Sequence, residues 1–450
     1  MKKCKAMTDR RKLLENPYRP GAGYRPPHLA GRSVQQDHFR RLLRQGFSTE
    51  NILVTGLRGM GKTVFLDSLR QISREERWLW VGNDLSESSS LSEERLTLRI
   101  LTDIAQAFSE VFGGAHGESN ADRKEQQEHA DNSYTFEVLR AIYERSPGLP
   151  SDKLKAVLSK LGSLVTKARL AGIVFAYDEA QCLSDHADSK EFPMSMLIET
   201  IASLQRRDGI APYVLVLSGL PQVFDALTET RAYTERMFHV MNLERLSREE
   251  TLAAITTPLK PLMPPLVVSK ELITKAADLT GGYPYLIQFI GKELIDQLLE
   301  NGGVLSAQNF PAPEMLDRLD AGLFASRWNR TSDRQRTFLQ FIATAHLRDS
   351  ADFSAHEIVQ AGAEAQGFTN AQANQMLQGL CDRGLLYRTR HGRYAFTVPM
   401  SEIMIQRRMR RVQDVEESWA VVTDVKPVVG ADANIQANGQ RRSRGWSWFK

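Results

Sequence analysis

The eight residues Gly56-Leu57-Arg58-Gly59-Met60-Gly61-Lys62-Thr63 follow the spacing GxxxxGK[ST]. Glycines let such a loop wrap tightly enough for successive backbone N–H groups to point inward at a phosphate, and the helix that follows adds its positive end. Lys62 would reach the β- and γ-phosphates, Thr63 would offer its hydroxyl to a magnesium ion, and Val64 continues the loop into the helix. A second chemical group lies downstream, where the apolar run Ile173–Tyr177 ends in Asp178-Glu179. Asp178 would hold the magnesium through its water shell, and Glu179 would polarise an attacking water as general base. Together these residues describe hydrolysis of ATP with Mg2+ as cofactor.

Two further positions belong near the γ-phosphate on this reading. Ser218 follows the apolar run Tyr213–Leu217 and either offers its hydroxyl to the phosphate or the water, or is part of a plain turn. Arg236 either senses γ-phosphate charge, in its own subunit or from a neighbouring one, or makes a surface ion pair.

These groups need elements to position them. Asn51–Thr55, Trp78–Val81, Ile173–Tyr177 and Tyr213–Leu217 are short continuous apolar runs separated by helix-patterned stretches, including Val34–Leu43 and Thr63–Ile72. Such runs suit an α/β fold, a parallel sheet covered by helices on both faces. Residues 1–33, rich in Pro, Gly and Arg, read as an extended N-terminal strap. The core then spans 34–242, an all-helical lid 243–330, a further module 331–412 and a flexible basic and aromatic tail 413–450. In the lid, Leu286, Ile287, Phe289, Ile290, Leu294 and Leu298 make one apolar helical face. The polar stretch 113–133 reads as a mobile insertion.

Composition bounds the alternatives. With 450 residues, 42% apolar and 25% charged, the chain has material for two or three domains, and wholesale disorder is excluded. A formal charge of +4 is too mild for a nucleic-acid coat, so any nucleic-acid site must be local. Cys4, Cys182 and Cys381 lie far apart, without the spacing of a zinc site or a disulfide framework. No run is apolar enough for a secretory leader or a membrane span, and the expected location is cytoplasmic.

The segments GLRGMGKTVFL, IVFAYDEAQ, VLVLSGLP, ERMFHVMNLERLSREE and GGYPYLIQFIG, spread from about Pro26 to Leu299, resemble the ORC-like AAA+ ATPases, which grade into the STAND signalling NTPases. The resemblance implies a P-loop NTPase core, a helical lid and a C-terminal winged helix-turn-helix. It also implies that Gly31-Arg32, after Pro26-Pro27-His28, lies close to the adenine. Initiators of this type carry a lid arginine that contacts the γ-phosphate. The corresponding place here reads Gly281-Gly282-Tyr283-Pro284-Tyr285 and looks like the GxP element of STAND proteins, with Pro284 packed on the base. That departure implies a slow switch rather than a motor. A helicase reading of DEAQ fails, because nothing after Leu243 alternates strands and helices to build a second motor domain.

The C-terminal module reads as three helices and a hairpin. Ser354-Ala355-His356-Glu357 is a capping box, Thr369–Arg383 a third helix, and His391-Gly392 the hairpin turn. Asn370, Gln372, Asn374, Gln375 and Gln378 would be exposed on the third helix and able to read base edges. Arg388, Arg390, His391 and Arg393 of the wing, with Arg407, Arg408, Arg410 and Arg411, are candidates for contacts to the backbone of double-stranded DNA. The same fold also docks proteins, and the two readings stay open, as does ATP-dependent assembly with further copies of the chain. In the tail, Arg441, Arg442 and Arg444 beside Trp446, Trp448 and Phe449 read as a solvated segment or a sticky terminal motif.

Overall fold

The computed structural model describes residues 16–46, 50–90, 92–112, 135–206, 212–230, 234–262, 268–301, 304–344, 352–361, 367–390 and 392–410. Cys4, the 113–133 insertion, His391, the side chain of Arg390, Arg411 and the 413–450 tail lie outside the described residues.

Helix α1 (Ser33–Arg44) precedes strand β1 (Asn51–Thr55), which leads through the glycine loop into α2 (Lys62–Glu75). Then come β2 (Trp78–Val81), α3 (Glu93–Phe112), α4 (Phe136–Arg145), α5 (Pro150–Lys167), β3 (Gly172–Tyr177), α6 (Pro193–Gln205), β4 (Tyr213–Gly219), α7 (Gln222–Thr230) and β5 (Phe238–Asn242). The strands form one sheet in the order β2-β3-β4-β1-β5, parallel throughout. All residues of β1, β3 and β4 are buried, because helices cover both faces.

The pleat divides these strands between two cores. Ile52, Val54, Val174, Ala176, Val214 and Val216 point into the first. Leu53, Ile173, Phe175, Tyr177, Tyr213, Leu215 and Leu217 point into the second, against α3, α5 and α6. The first core does not stop at the sheet. It continues through α8 (Arg248–Thr256), α9 (Lys270–Thr280) and α10 (Pro284–Glu300), where Leu286, Ile287, Ile290, Leu294 and Leu298 are buried and Phe289 is half-buried.

From there it runs into the C-terminal elements. Pro313–Leu319, a π turn Asp320–Phe324 and Ala325–Asn329 run on as α11. Next stand α12 (Asp333–Thr344), α13 (Ala355–Gln360), α14 (Asn370–Asp382), the antiparallel hairpin β6 (Leu386–Arg390) and β7 (Arg393–Phe396), and a closing helix α15 over 401–410. The capping box read at Ser354 forms with Glu357, and the structure adds a second one, Thr369 with Gln372, at the start of α14. Phe353 bridges to Tyr394, adding a third strand position to the hairpin.

The N-terminal segment is strapped down by specific contacts. Tyr18 is buried and donates its hydroxyl to the Ile255 carbonyl, and Asn16 donates to Asp296 at 2.7 Å and to the Lys292 carbonyl at 2.8 Å. Residues 16–30 thereby tie α8 to α10.

Tight backbone approach brings the tips of β2 and β3 together. Gly82, directly after β2, has φ +136°, and a Cβ there would fall 1.9 Å from the Ala176 carbonyl oxygen. A Gly82→Ala change is expected to cost about 3 kcal/mol, through strain and overpacking, and to lower the melting midpoint by roughly 5–10 °C. A midpoint unchanged in calorimetry would show that the strand tips do not need this approach.

Candidate functional site

The glycine loop joins the C-terminal end of β1 to α2, with Gly61 as the left-handed N-cap (φ 82°). Lys62 is buried, and its Nζ donates to the carbonyls of Gly56 (2.9 Å) and Leu57 (3.2 Å), so the ammonium sits inside its own loop. Burial pushes it below its ordinary range, while Asp178 and Glu179 pull it back up.

Asp178 stands just past the tip of β3, beside the start of α2. The Thr63 hydroxyl donates to Asp178 Oδ2 at 2.6 Å, so the hydroxyl and the carboxylate meet as the sequence reading requires. The donor set is hard oxygen from a strand tip and a helix start, which fits a magnesium ion. Ser218 Oγ donates to the other oxygen, Asp178 Oδ1, at 2.7 Å, and the Glu179 N–H donates to that oxygen at 2.9 Å. Ser218 is fully buried and lies inside β4 rather than in a turn after it, so the turn reading is corrected. The expectation that its hydroxyl faces the phosphate is corrected as well, since the hydroxyl is spent on orienting Asp178. The register explains this: Tyr177 pairs with Leu217, so the next residues along, Asp178 and Ser218, share a face.

Glu179 takes a left-handed backbone (φ 54°), uncommon for a non-glycine residue, and its exposed side chain lines a cavity of about 470 Å³. Gln181 Nε2 donates to its carboxylate. The cavity wall also includes Arg58, Gly59, Met60, Gly61, Lys62, Thr63 and Val64 from the loop. Tyr24, Pro26, His28, Leu29 and Arg32 line it from the strap side, and Leu246, Tyr283, Pro284 and Ile287 from the lid. Thus Pro284 and Arg32 do reach the cavity. Arg32 is nearly buried and donates to the Glu244 carbonyl at 2.8 Å, while Gly31, beside Leu246 and Glu250, is not among the lining residues.

The lid grips the loop directly. Tyr283 donates its hydroxyl to the Arg58 carbonyl, and the Tyr285 N–H donates to the Gly59 carbonyl at 3.2 Å. A Cβ on Gly59 would fall 2.7 Å from the Tyr283 oxygen, so only glycine admits the ring there.

Arg236 is not brought to this site. It closes a short helical turn before β5, and β5 runs parallel to β1 with Phe238 beside Asn51 and Asn242 beside Thr55. Arg236 therefore stands at the opposite end of the sheet from the loop, a full strand of about 16 Å away at roughly 3.3 Å per residue. An action within its own subunit is excluded by that distance.

Two acids were missed from the sequence. Asp84 pairs along the backbone with Asp178, and burial first, then Asp178 and Glu179, push its carboxyl above the usual range. Asp67, on α2, is pushed up by burial, with Asp178 adding to the rise. Acids gathered this way would be relieved by a cation. Elsewhere, His38, Glu50 and His239 come together, with His38 Nε2 at 2.8 Å from Glu50 Oε1. The two imidazoles stack with centroids 4.0 Å apart and planes 13° from parallel, so their in-plane lone pairs do not converge on one ion.

Among the wing residues, Arg393 is bound to Asp352 (2.6 Å) and Glu357 (2.9 Å), Arg407 to Asp317 (2.7 Å) and Arg408 to Asp320 (2.7 Å). Arg388 lies over the Tyr394 ring. Gln372 is a cap, whereas Asn374, Gln375 and Gln378 are exposed on α14.

Residues 28–217 match the family described as AAA ATPase domain, and residues 321–402 match a domain of unknown function (DUF8462). Solved structures share the fold at low identity. The Walker-type ATPase paby2304 of Pyrococcus abyssi is 16% identical with a TM-score of 0.55, over 85% of this chain and 97% of that one. The Aeropyrum pernix ORC2 protein is 14% identical with a TM-score of 0.52, over 87% of this chain and 98% of that one. Residues 28–217 form an AAA ATPase domain, and the chain has the fold of the ORC-like AAA+ structures. A search of the curated proteins finds no significant match.

For this AAA+ site, Ser218→Ala is expected to weaken Mg2+-dependent nucleotide binding by about 10-fold, since removal of an outer partner of a metal ligand costs 10–100-fold. Titration of nucleotide at fixed Mg2+ measures it. Equal affinity in the two proteins would mean that Asp178 needs no such support.

Proposed function

We propose that the chain is an ATP-binding, slowly hydrolysing AAA+/STAND-type ATPase that acts as a nucleotide-dependent switch and transmits its state through its C-terminal module to a partner. The observation that carries this reading is the 2.6 Å contact of Thr63 with Asp178, beside Lys62 and under a lid tyrosine bound to the loop. In this mechanism Lys62 leaves the carbonyls of Gly56 and Leu57 for the phosphates, and the N–H groups of Gly59–Thr63 hold them. Thr63 and Asp178 would hold Mg2+, which supplies charge neutralisation at the β- and γ-oxygens. Glu179, facing the cavity, takes a proton from the attacking water. Ser218 keeps Asp178 oriented. Arg236 acts, if at all, on the site of a neighbouring copy, in an ATP-dependent homo-oligomer. The base sits against the apolar strap and lid wall, with Arg32 and Pro284 at its edge.

The switch reading is supported by the lid. Tyr283 and Tyr285 both bond to the loop that must receive the phosphates, so nucleotide state and lid position are tied together. The free thiols of Cys182 and Cys381, both pushed up by burial, suit a reducing compartment such as the cytoplasm. Among the described residues no helix is long and apolar enough to cross a membrane.

The C-terminal module is read as a winged helix that docks a protein, because Arg393, Arg407 and Arg408, three of the arginines that would grip a phosphate backbone, are paired with acids of the chain itself. The exposed Asn374, Gln375 and Gln378 favour a second reading, an ATP-licensed DNA-binding initiator or regulator.

Two experiments follow. Lys62→Ala should abolish ATP binding, while Glu179→Gln should retain binding and lower turnover by about 100-fold or more; wild-type turnover in the second variant would remove Glu179 from its role. In a salt titration with ATP present, duplex DNA binding is expected to be absent above about 0.2 M salt. Submicromolar affinity persisting there would favour the DNA reading.

A further inference from the structure

Two residues of α11, the last helix of the lid, line the nucleotide cavity: Leu323 and Arg327. Arg327, in the last turns of α11, lines the cavity together with Arg58, Lys62 and Tyr283. Its guanidinium is half-buried and, among the described residues, has no carboxylate partner and donates no side-chain hydrogen bond. Neighbouring arginines differ: Arg318 is paired with Glu293 and Arg408 with Asp320. Burial holds Arg327 below its ordinary range and Arg58 lowers it further, while Arg58 also opposes the charge of Lys62. Arg58 and Arg327 thus stand at the loop tip beside a Lys62 that Asp178 and Glu179 already face, so the two guanidiniums are the cations left for an anion in the cavity.

We propose that Arg327 binds the terminal phosphate of a nucleoside triphosphate, so that α11, at the junction of the lid with the C-terminal module, reads the phosphate state directly. The inference rests on the nucleotide-site reading above and adds the route by which the state leaves it. The apolar wall of Leu246, Ala254 and Ile287 suits a base, whereas the cationic wall suits phosphates. Arg327 belongs to the second, close to Arg58 and Tyr283. It thereby occupies the role that Gly281–Tyr285 lacks, a cation that only the third phosphate satisfies.

The route outward is short. α11 contains the π turn Asp320–Phe324, a local irregularity of the sort that often marks functional segments. Trp328, next to Arg327, is buried against Phe324, and the guanidinium of Arg408 covers both rings. Gly384, at the base of the hairpin, lies beside Arg327, with its Cβ position 4.0 Å from Nε. The Arg330 carbonyl accepts from Arg383 at 2.9 Å. A shift of Arg327 towards a phosphate therefore moves a helix that is bonded to the foot of the hairpin.

The test uses the full chain as wild type, Arg327→Ala, Arg327→Lys and Lys62→Ala. Each is titrated calorimetrically with a non-hydrolysable ATP analogue and with ADP, and hydrogen exchange is followed over residues 384–398. Arg327→Ala should weaken the analogue by about 10-fold or more, the worth of a charge-assisted bond, and ADP by less than about threefold. It should also erase the difference in exchange between the two nucleotides, and Arg327→Lys should retain part of both effects. Equal weakening of analogue and ADP, or of neither, overturns the proposal provided that Lys62→Ala abolishes binding. If Lys62→Ala binds normally, the nucleotide reading itself fails. Should Arg327→Ala melt early, the ratio of analogue to ADP affinity in Arg327→Lys decides alone, and a wild-type ratio there overturns the proposal.

Discussion

Asp178 has to present one oxygen to the start of α2 from a nearly closed setting, and the rest of the structure arranges itself around that demand. A buried carboxylate is costly unless each lone pair finds a donor. Here Thr63 serves one oxygen, and Ser218 and the Glu179 backbone serve the other. Those donors come from the start of α2, from β4 and from the residue after Asp178 itself. The strand order β2-β3-β4-β1-β5 leaves β4 between the glycine loop and Asp178, so a donor on β4 is within reach of the carboxylate by construction.

The same constraint accounts for the closed shape of the cavity. Lys62 donates from inside the glycine loop to two of the loop's own carbonyls. The loop's outer carbonyls at Arg58 and Gly59 are left for the lid, and Tyr283 and Tyr285 take them. Because the lid helices share one apolar core with the sheet and with α12 and α14, fixing the loop fixes more than the lid. Close-packed cores shift between discrete arrangements rather than deform gradually, which suits a protein that reports a state.

How much of this was legible depends on whether the signal was local. The continuous apolar runs of β1, β3 and β4 could be read because strands buried on both faces have no polar alternation to confuse them. The glycine loop and Asp178-Glu179 were legible because their spacing is the chemistry. Ser218 was found but given the wrong partner. Counting the pleat from Asp178 and from Ser218 across paired strands would have put both on one face, but that count needs the register. Asp67 and Asp84 carry no motif. Arg236 was placed near the phosphates by its sequence setting, and only the parallel direction of β5 shows that it begins where β1 begins, away from the loop. Arg327 sits in an unremarkable helix, and its approach to Arg58 is a product of packing.

The arginines of the C-terminal elements show why a count of basic residues is a poor guide to nucleic-acid binding. Arg393, Arg407 and Arg408 look free in the sequence, because Asp352, Asp317 and Asp320 lie tens of residues away or outside the module as drawn. In the fold these pairs do structural duty. Arg393 joins the hairpin to the segment before α13, and Arg407 and Arg408 join α15 to α11. Withdrawing them to meet phosphates would strip the bonds that hold α15 on α11, the helix that also carries Arg327 to the cavity. Charges spent on holding α15 against α11 are not at the same time available to phosphates.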